Sequence, residues 1–346
     1  MPYYPLPIPA HVIEEIDNEE RQWGASGDKE IALRAKNRAK IQDLYAPINA
    51  IYDSGTPFFT KAAIASLVRQ IDESGVHRVQ TEPLSLNLSI VGIDGRTVDT
   101  SLQLGVKDPT LSRFPREDGA VLMKAMLSID LHPADHLTSI ASIHASYFDP
   151  RIAFLPMTVD VVTVPVLPAT GELILDDDTP IRPESETRAT LQQEKAKWDA
   201  GAACRELIAT LQGVADAGRL PRVDKVVAFA CHRPSVVERA ERVAAEHALV
   251  LSIRDFFAQR SETVQCYAQD PMYEDVDRTM LGELGMTVLD HPRGFLEVDE
   301  ATVVFSQAPL VAVRQIVADI ARPAVMVWDK VREIPRKGYW IGRAEQ

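Results

Sequence analysis

Between residues 84 and 104 apolar and polar side chains alternate. Leu84, Leu86, Leu88 and Ile90 fall on one side, Ser85, Asn87 and Ser89 on the other, and Asp94-Gly95 follows. A period of two broken by Asp-Gly predicts a β-hairpin with one buried face. Upstream the spacing changes: Ile64, Leu67, Val68 and Ile71 recur every three or four residues after Thr60, predicting an amphipathic helix that Thr60 caps and that stops near Gly75. The charged segment from His11 to Tyr45, with Leu33, Ile41 and Leu44 near one face and Asn37 interrupting, predicts a peripheral helix. Residues 119–129 and 136–148 read as helical, and 153–168 as extended structure broken by prolines. The acidic, proline-bearing run at 175–186 reads as a linker or long surface loop.

The second half is more regular. A helix is predicted from Thr187 to Ala217 on Leu191, Trp198, Ala202, Leu207, Ile208 and Leu211. Short continuous apolar runs follow at 225–230, 263–268, 286–289, 302–305 and 324–328, separated by helical patterns at Pro234–Gln259, Asp275–Leu284 and Leu310–Ile320. Continuous apolar strands alternating with helices predict a parallel sheet covered on both faces. The expected fold class is therefore α/β: a Rossmann-like, doubly wound, mostly parallel sheet over residues 185–335, with an N-terminal α+β accessory region over 1–170.

Composition narrows the partners. A formal net charge of −13, from 37 basic and 50 acidic side chains, repels nucleic acid and anionic membrane surfaces, so neither is expected as a partner. No stretch approaches the ~18 uninterrupted apolar residues of a membrane span. The start of the chain has prolines and acids where a secretory signal needs a basic region and an apolar core. The three cysteines, Cys204, Cys231 and Cys266, are too widely spaced for a zinc site and odd in number for a disulfide framework. A soluble cytoplasmic or nuclear protein is the expectation.

In a doubly wound sheet ligands sit outside the carboxyl ends of the strands. That rule selects Cys231, His232, Arg233 and Ser235 after the first strand, Asp270 and Tyr273 after the second, and Ser306, Gln307 and Asp329 after later ones. Asp270 holds the position from which an acid accepts hydrogen bonds from a ribose; the structural alternative is a helix start, with Asp as cap and Pro271 in the first turn. The turn "ACHRPS" has no glycine to let a pyrophosphate approach, which argues against NAD, and no P-loop pattern occurs. Cys231 beside His232 suggests a thiol of lowered pKa; a buried cysteine ending a strand is the alternative. Trp328 beside Asp329 suits stacking on a ligand or simply core. His132 and His136, with Asp135 and His144 nearby, have metal-compatible spacing, but Pro133 intervenes and no HExxH is completed, so no metal is assigned. The aspartates at 176–178 read as a solvated loop.

Residues 266–327 carry four linked patterns: Tyr-x-x-Asp-Pro at a strand end, Asp-x-x-x-Leu-x-x-Leu-Gly on the next helix, "GFLEVDEAT", and a strand ending in Ser-x-Ala-Pro. Together they resemble the SRR1-like domain, named after the plant "sensitivity to red light reduced" protein, in its fungal form. "GTPFFTKAAIASLVRQI" is also similar to the N-terminal helix of fungal members. The family's plant protein is tied to light signalling and clock function, animal members to haem metabolism, and some fungal members lie near biosynthetic genes. The resemblance implies no catalytic residue set. Members often carry a glycine in the turn after the first strand, from which "ACHRPS" departs. The function expected is that of a small-molecule-binding regulatory or pathway-accessory protein, with no particular cofactor indicated and a protein partner compatible. The alternatives are a transferase-like enzyme using a nucleoside-containing cofactor such as S-adenosylmethionine, and a ligand-free interaction scaffold.

Overall fold

The structure is a computed structural model and describes residues 46–75, 84–104, 122–134, 136–137, 150–166, 182–237, 239–261, 263–307, 309 and 311–328. The expectations for the segment 11–45, for most of the 175–186 run and for residues 138–148 lie outside these.

Helix α1 (Lys61–Glu73) starts where Thr60 accepts a hydrogen bond from the Ala63 amide at 3.1 Å, and it buries Ile64, Leu67 and Val68. The predicted hairpin is β1 (Leu84–Val91) paired antiparallel with β2 (Thr97–Leu104); Leu86, Leu88 and Ile90 point inward. Strand β3 (Leu122–Leu131) pairs antiparallel with β4 (Met157–Val166). The helix expected over 119–129 is thus a strand. Leu127, Ile129 and Leu131 pack on the core while Asp130 pairs with Thr158 across the ribbon. Met, Lys, Ala and Leu favour helix locally, but the long pairing with β4 satisfies the backbone and decides the conformation.

Helices α2 (Glu184–Ala200) and α3 (Ala202–Asp216) occupy the span read as a single helix. The break is at Gly201, which is extended and packed so tightly over the end of α2 that a Cβ would lie 2.9 Å from the Trp198 carbonyl oxygen. Then come β5 (Lys225–Phe229), α4 (Ala240–Ala258), β6 (Gln265–Gln269), α5 (Asp275–Glu283), β7 (Thr287–Val288), a 3₁₀ turn (Arg293–Glu297), β8 (Thr302–Ser306), α6 (Val313–Ile320) and β9 (Val325–Trp328). The five strands form one parallel sheet in the order β7-β6-β5-β8-β9, the doubly wound α/β architecture expected. The chain goes one way from β5 to β6 and β7, then returns to the other side for β8 and β9. The switch point therefore lies between β5 and β8.

Each face of the sheet has its own cover. Val226, Ala228, Cys266, Ala268, Val303 and Phe305 pack on α4 and α3. Helix α4 lies between that face and α2, touching Leu191 through Ala244, and is buried on nearly every side. The opposite face, with Val227, Phe229 and Val304, joins Phe295, Ile316 and Val317 in one cluster with Phe58, Phe59, Leu67, Leu86 and Leu88. The N-terminal elements thus form the second covering layer.

Polar contacts fix that layer in place. The Asp319 carboxylate on α6 accepts the amides of Phe58 at 2.9 Å and Phe59 at 3.2 Å, and Arg293 pairs with Asp72 at 2.5 Å. Asp319→Ala strands two N–H groups beside the core and is expected to lower stability by about 1–3 kcal/mol in urea unfolding. An unchanged midpoint would show that water replaces the carboxylate without loss.

Candidate functional site

The carboxyl end of β5 turns sharply. Ala230 and His232 both take the left-handed conformation, at φ 57° and 62°, and Arg239 at the head of α4 does so at φ 61°. Each is a position that glycine occupies without strain and that an L side chain pays about 1 kcal/mol or more to hold. The turn that lacks glycine is therefore a glycine-type turn in shape. Cys231 and Arg233 end up inside it, while His232 faces solvent.

Two buried carboxylates hold the turn. Asp270, following β6, accepts the His232 amide at 2.7 Å and the Met272 amide at 2.9 Å. Burial raises its pKa, against the opposing effect of those two amides. Asp277, on the first turn of α5, accepts the Ser235 amide at 2.9 Å and hydroxyl at 3.1 Å, and the Glu274 amide at 3.0 Å. Its carboxyl is likewise raised by burial, and the hydrogen bonds and the Arg233 guanidinium pull it back. The β5–α4 loop is thus bonded to both ends of the β6–α5 connection.

Arg233 is the anomaly in this network. Its side chain is 1 % exposed, and among the described residues its ion-pair partner is Glu274, with Nη1 3.9 Å from Oε1, too long for a hydrogen bond. Neither Nε nor Nη1 has a hydrogen-bond partner among the described residues. Ser306, at the end of β8 beside Phe229, is also fully buried with an unpartnered hydroxyl. By strand alternation Ser306 points to the face that Val304 shares with the N-terminal layer.

The other expected residues scatter. Tyr273 turns into the core, its hydroxyl 2.9 Å from His247 Nε2, while His247 Nδ1 donates to the Val243 carbonyl at 2.7 Å. Burial keeps the imidazole neutral, so with Nδ1 donating to the carbonyl Nε2 accepts from the phenol. Cys231 is fully buried, and burial pushes its thiol well above the ordinary value, the opposite of an activated thiolate. Gln307, with its amide oriented so that nitrogen donates to Glu246 at 2.9 Å and oxygen accepts from Arg242 at 3.3 Å, ties β8 to α4. Asp329 lies outside the described residues. Trp328 packs against the core. Gln269, ahead of Asp270, accepts the Gly294 amide at 2.6 Å; a Cβ on Gly294 would lie 2.8 Å from that oxygen and 3.0 Å from the Phe229 ring.

Sequence reasoning missed Asp277, Glu274 and His247. Asp277 stood in the quoted Asp-x-x-x-Leu pattern, but its hold on Ser235 joins positions 42 residues apart, which periodicity cannot show. Away from the sheet edge, His132 and His136 stack at 4.5 Å, with His132 Nε2 2.8 Å from the Thr158 hydroxyl. Among the described residues no group of three metal-ligating side chains converges, and no helix is long and apolar enough to cross a membrane.

Burial lowers the His247 pKa to about 4, against an unfolded value of 6.5. Between those values the unfolded chain binds a proton that the folded one refuses. Stability is therefore full above about pH 6.5, falls as the pH drops to about 4, and is lost no further below it. The loss amounts to about 3 kcal/mol. Wild type and His247→Gln should differ in the pH slope of stability across this window; parallel slopes would place the proton elsewhere.

In comparison with known protein families, residues 204–339 fit the model of the SRR1 domain. Neither curated proteins nor solved structures yielded a match. The matched segment contains every strand of the parallel sheet and the whole Arg233–Asp270–Asp277 network, so the chain carries an SRR1 domain, and the cluster at its sheet edge belongs to that domain.

Proposed function

We propose that this SRR1 domain binds a small organic molecule at the carboxyl edge of its sheet, on the β5 side of the switch point, and serves as a regulatory or pathway-accessory protein. One observation carries this reading. Of the four buried side-chain polar atoms without a partner among the described residues, three lie at that edge: Arg233 Nε, Arg233 Nη1 and Ser306 Oγ. Unpaired buried donors cost free energy, and a ligand that accepts from them is one way a protein puts such groups to use. The strained turn supports the same reading, since left-handed residues without glycine persist where the surroundings hold them for a purpose.

A ribose-binding role for Asp270, on which the transferase alternative rests, competes with its present duty: each of its oxygens already takes a backbone amide. No side chain in the network is arranged as a nucleophile with its base. Binding without turnover is therefore the simpler assignment.

Thermal unfolding of the full chain against S-adenosylmethionine, NAD(P), ATP, haem and a set of small organic acids tests the proposal. A ligand of the folded state raises the midpoint saturably, by about 2.7 kcal/mol of stability at a hundredfold excess over Kd. The shift is expected to shrink in Asp270→Ala. A flat response across the whole panel would favour the scaffold reading.

A further inference from the structure

We infer that the group recognised at this edge is a carboxylate that docks on Arg233 by displacing the side chain of Glu274. The inference rests on the ligand-binding reading above and specifies its chemistry. Arg233 is a buried cation surrounded by negative charge yet starved of hydrogen bonds. Asp277 balances its charge, but the Asp277 oxygens are engaged by Ser235 and by the Glu274 amide. Glu274 closes the capping box of α5, its carboxylate accepting the Asp277 amide, and stands 3.9 Å from Arg233, near enough to be attracted and too far to accept a hydrogen bond from it. The Glu274 side chain is 24 % exposed against 1 % for Arg233, so Glu274 is the member of the pair that solvent reaches.

Glu274 is thus an internal stand-in for an external carboxylate. When it swings into solvent, giving up the Asp277 amide to water, and a ligand carboxylate takes its place, the local charge is unchanged. The newcomer can accept from the N–H groups that Glu274 leaves unused. A phosphate dianion would add a further negative charge beside Asp277, so a monoanion fits better. Charge-assisted hydrogen bonds of this kind are the strong ones in protein recognition. Before binding, the unmade hydrogen bonds cost stability, as residues kept for function often do.

The test titrates the full chain with benzoate, with benzamide as its uncharged isostere and with inorganic phosphate, following the melting midpoint and the arginine Nε–H resonances by NMR. Benzoate should raise the midpoint saturably and move one Nε–H resonance that is missing in Arg233→Met. Affinity should fall about 10- to 100-fold in Arg233→Met, the range for losing a hydrogen bond to a charged group, and rise in Glu274→Gln, which removes the charged competitor. Benzamide and phosphate should do neither. Equal binding of benzoate and benzamide, or phosphate binding in place of benzoate, overturns the carboxylate assignment. No response to benzoate in wild type and in Glu274→Gln also overturns it. If Arg233→Met fails to fold, Glu274→Gln decides alone, because it leaves the cation in place. A neutral ligand that stabilises wild type and Arg233→Met alike would sink this inference and leave ligand binding at the sheet edge standing.

Discussion

A chain beginning at Arg182, and so lacking the N-terminal layer, is expected to lose cooperative unfolding. It keeps every strand of the parallel sheet, yet the face formed by Val227, Phe229 and Val304, with Phe295, Val298, Val313, Ile316 and Val317 around it, loses its cover. Each such side chain contributes about 1.5–3 kcal/mol when fully buried. Their partial return to water is comparable with the net stability of about 5–15 kcal/mol that holds a domain folded. Asp319 and Arg293 would also lose Phe58, Phe59 and Asp72 as partners. Urea unfolding followed by far-UV circular dichroism, with a dye that reports exposed apolar surface, should show a broad transition and strong dye binding. A sharp transition at the wild-type midpoint would make the SRR1 domain an independent unit and reduce the N-terminal layer to an accessory. We propose the first outcome, in which the two parts are a single folding unit.

Asp277→Ala is expected to be the most damaging single substitution at the sheet edge, at about 3–5 kcal/mol. It removes the acceptor of the Ser235 amide and hydroxyl and of the Glu274 amide, and it takes away the counter-charge of a guanidinium buried to 1 % exposure. Arg233→Met should cost much less, because Asp277 keeps its three donors and Glu274 reaches solvent. This asymmetry separates a network built around Asp277 from an ordinary ion pair, in which either loss costs the same. Urea midpoints of the two variants and of the double variant measure it. Equal losses would mean that Arg233 is there for structure and would weaken the case for a ligand.

The parallel sheet was legible because each of its strands is a short apolar run between breakers. Val226 to Phe229 and Val303 to Phe305 are buried on both faces, and a strand buried on both sides has no polar positions to confuse its signal. The hairpin at 84–104 announced itself by alternation and by Asp94-Gly95, and Gly95 does take the left-handed conformation at φ 78°. Strand β3 did not, because its helix-forming residues are overruled by a partner that begins 26 residues after its own end. The crest of the sheet was legible as a place. Its division of labour was not: Tyr273 and Ser235 read alike as polar residues near a strand end, yet one closes onto His247 in the core and the other onto Asp277.

Local pattern by itself determined the element types of the C-terminal half and the parallel sheet, since periodicity and chain direction are properties of neighbouring residues. Tertiary structure alone decided that the N-terminal layer completes the core, that a turn without glycine takes a glycine-like path, and that Arg233 is left with unmade hydrogen bonds. Those outcomes depend on which distant groups meet, such as Asp319 with Phe58 or Asp277 with Ser235. Burial and hydrogen-bond satisfaction are set by the whole fold, and no window along the chain contains them.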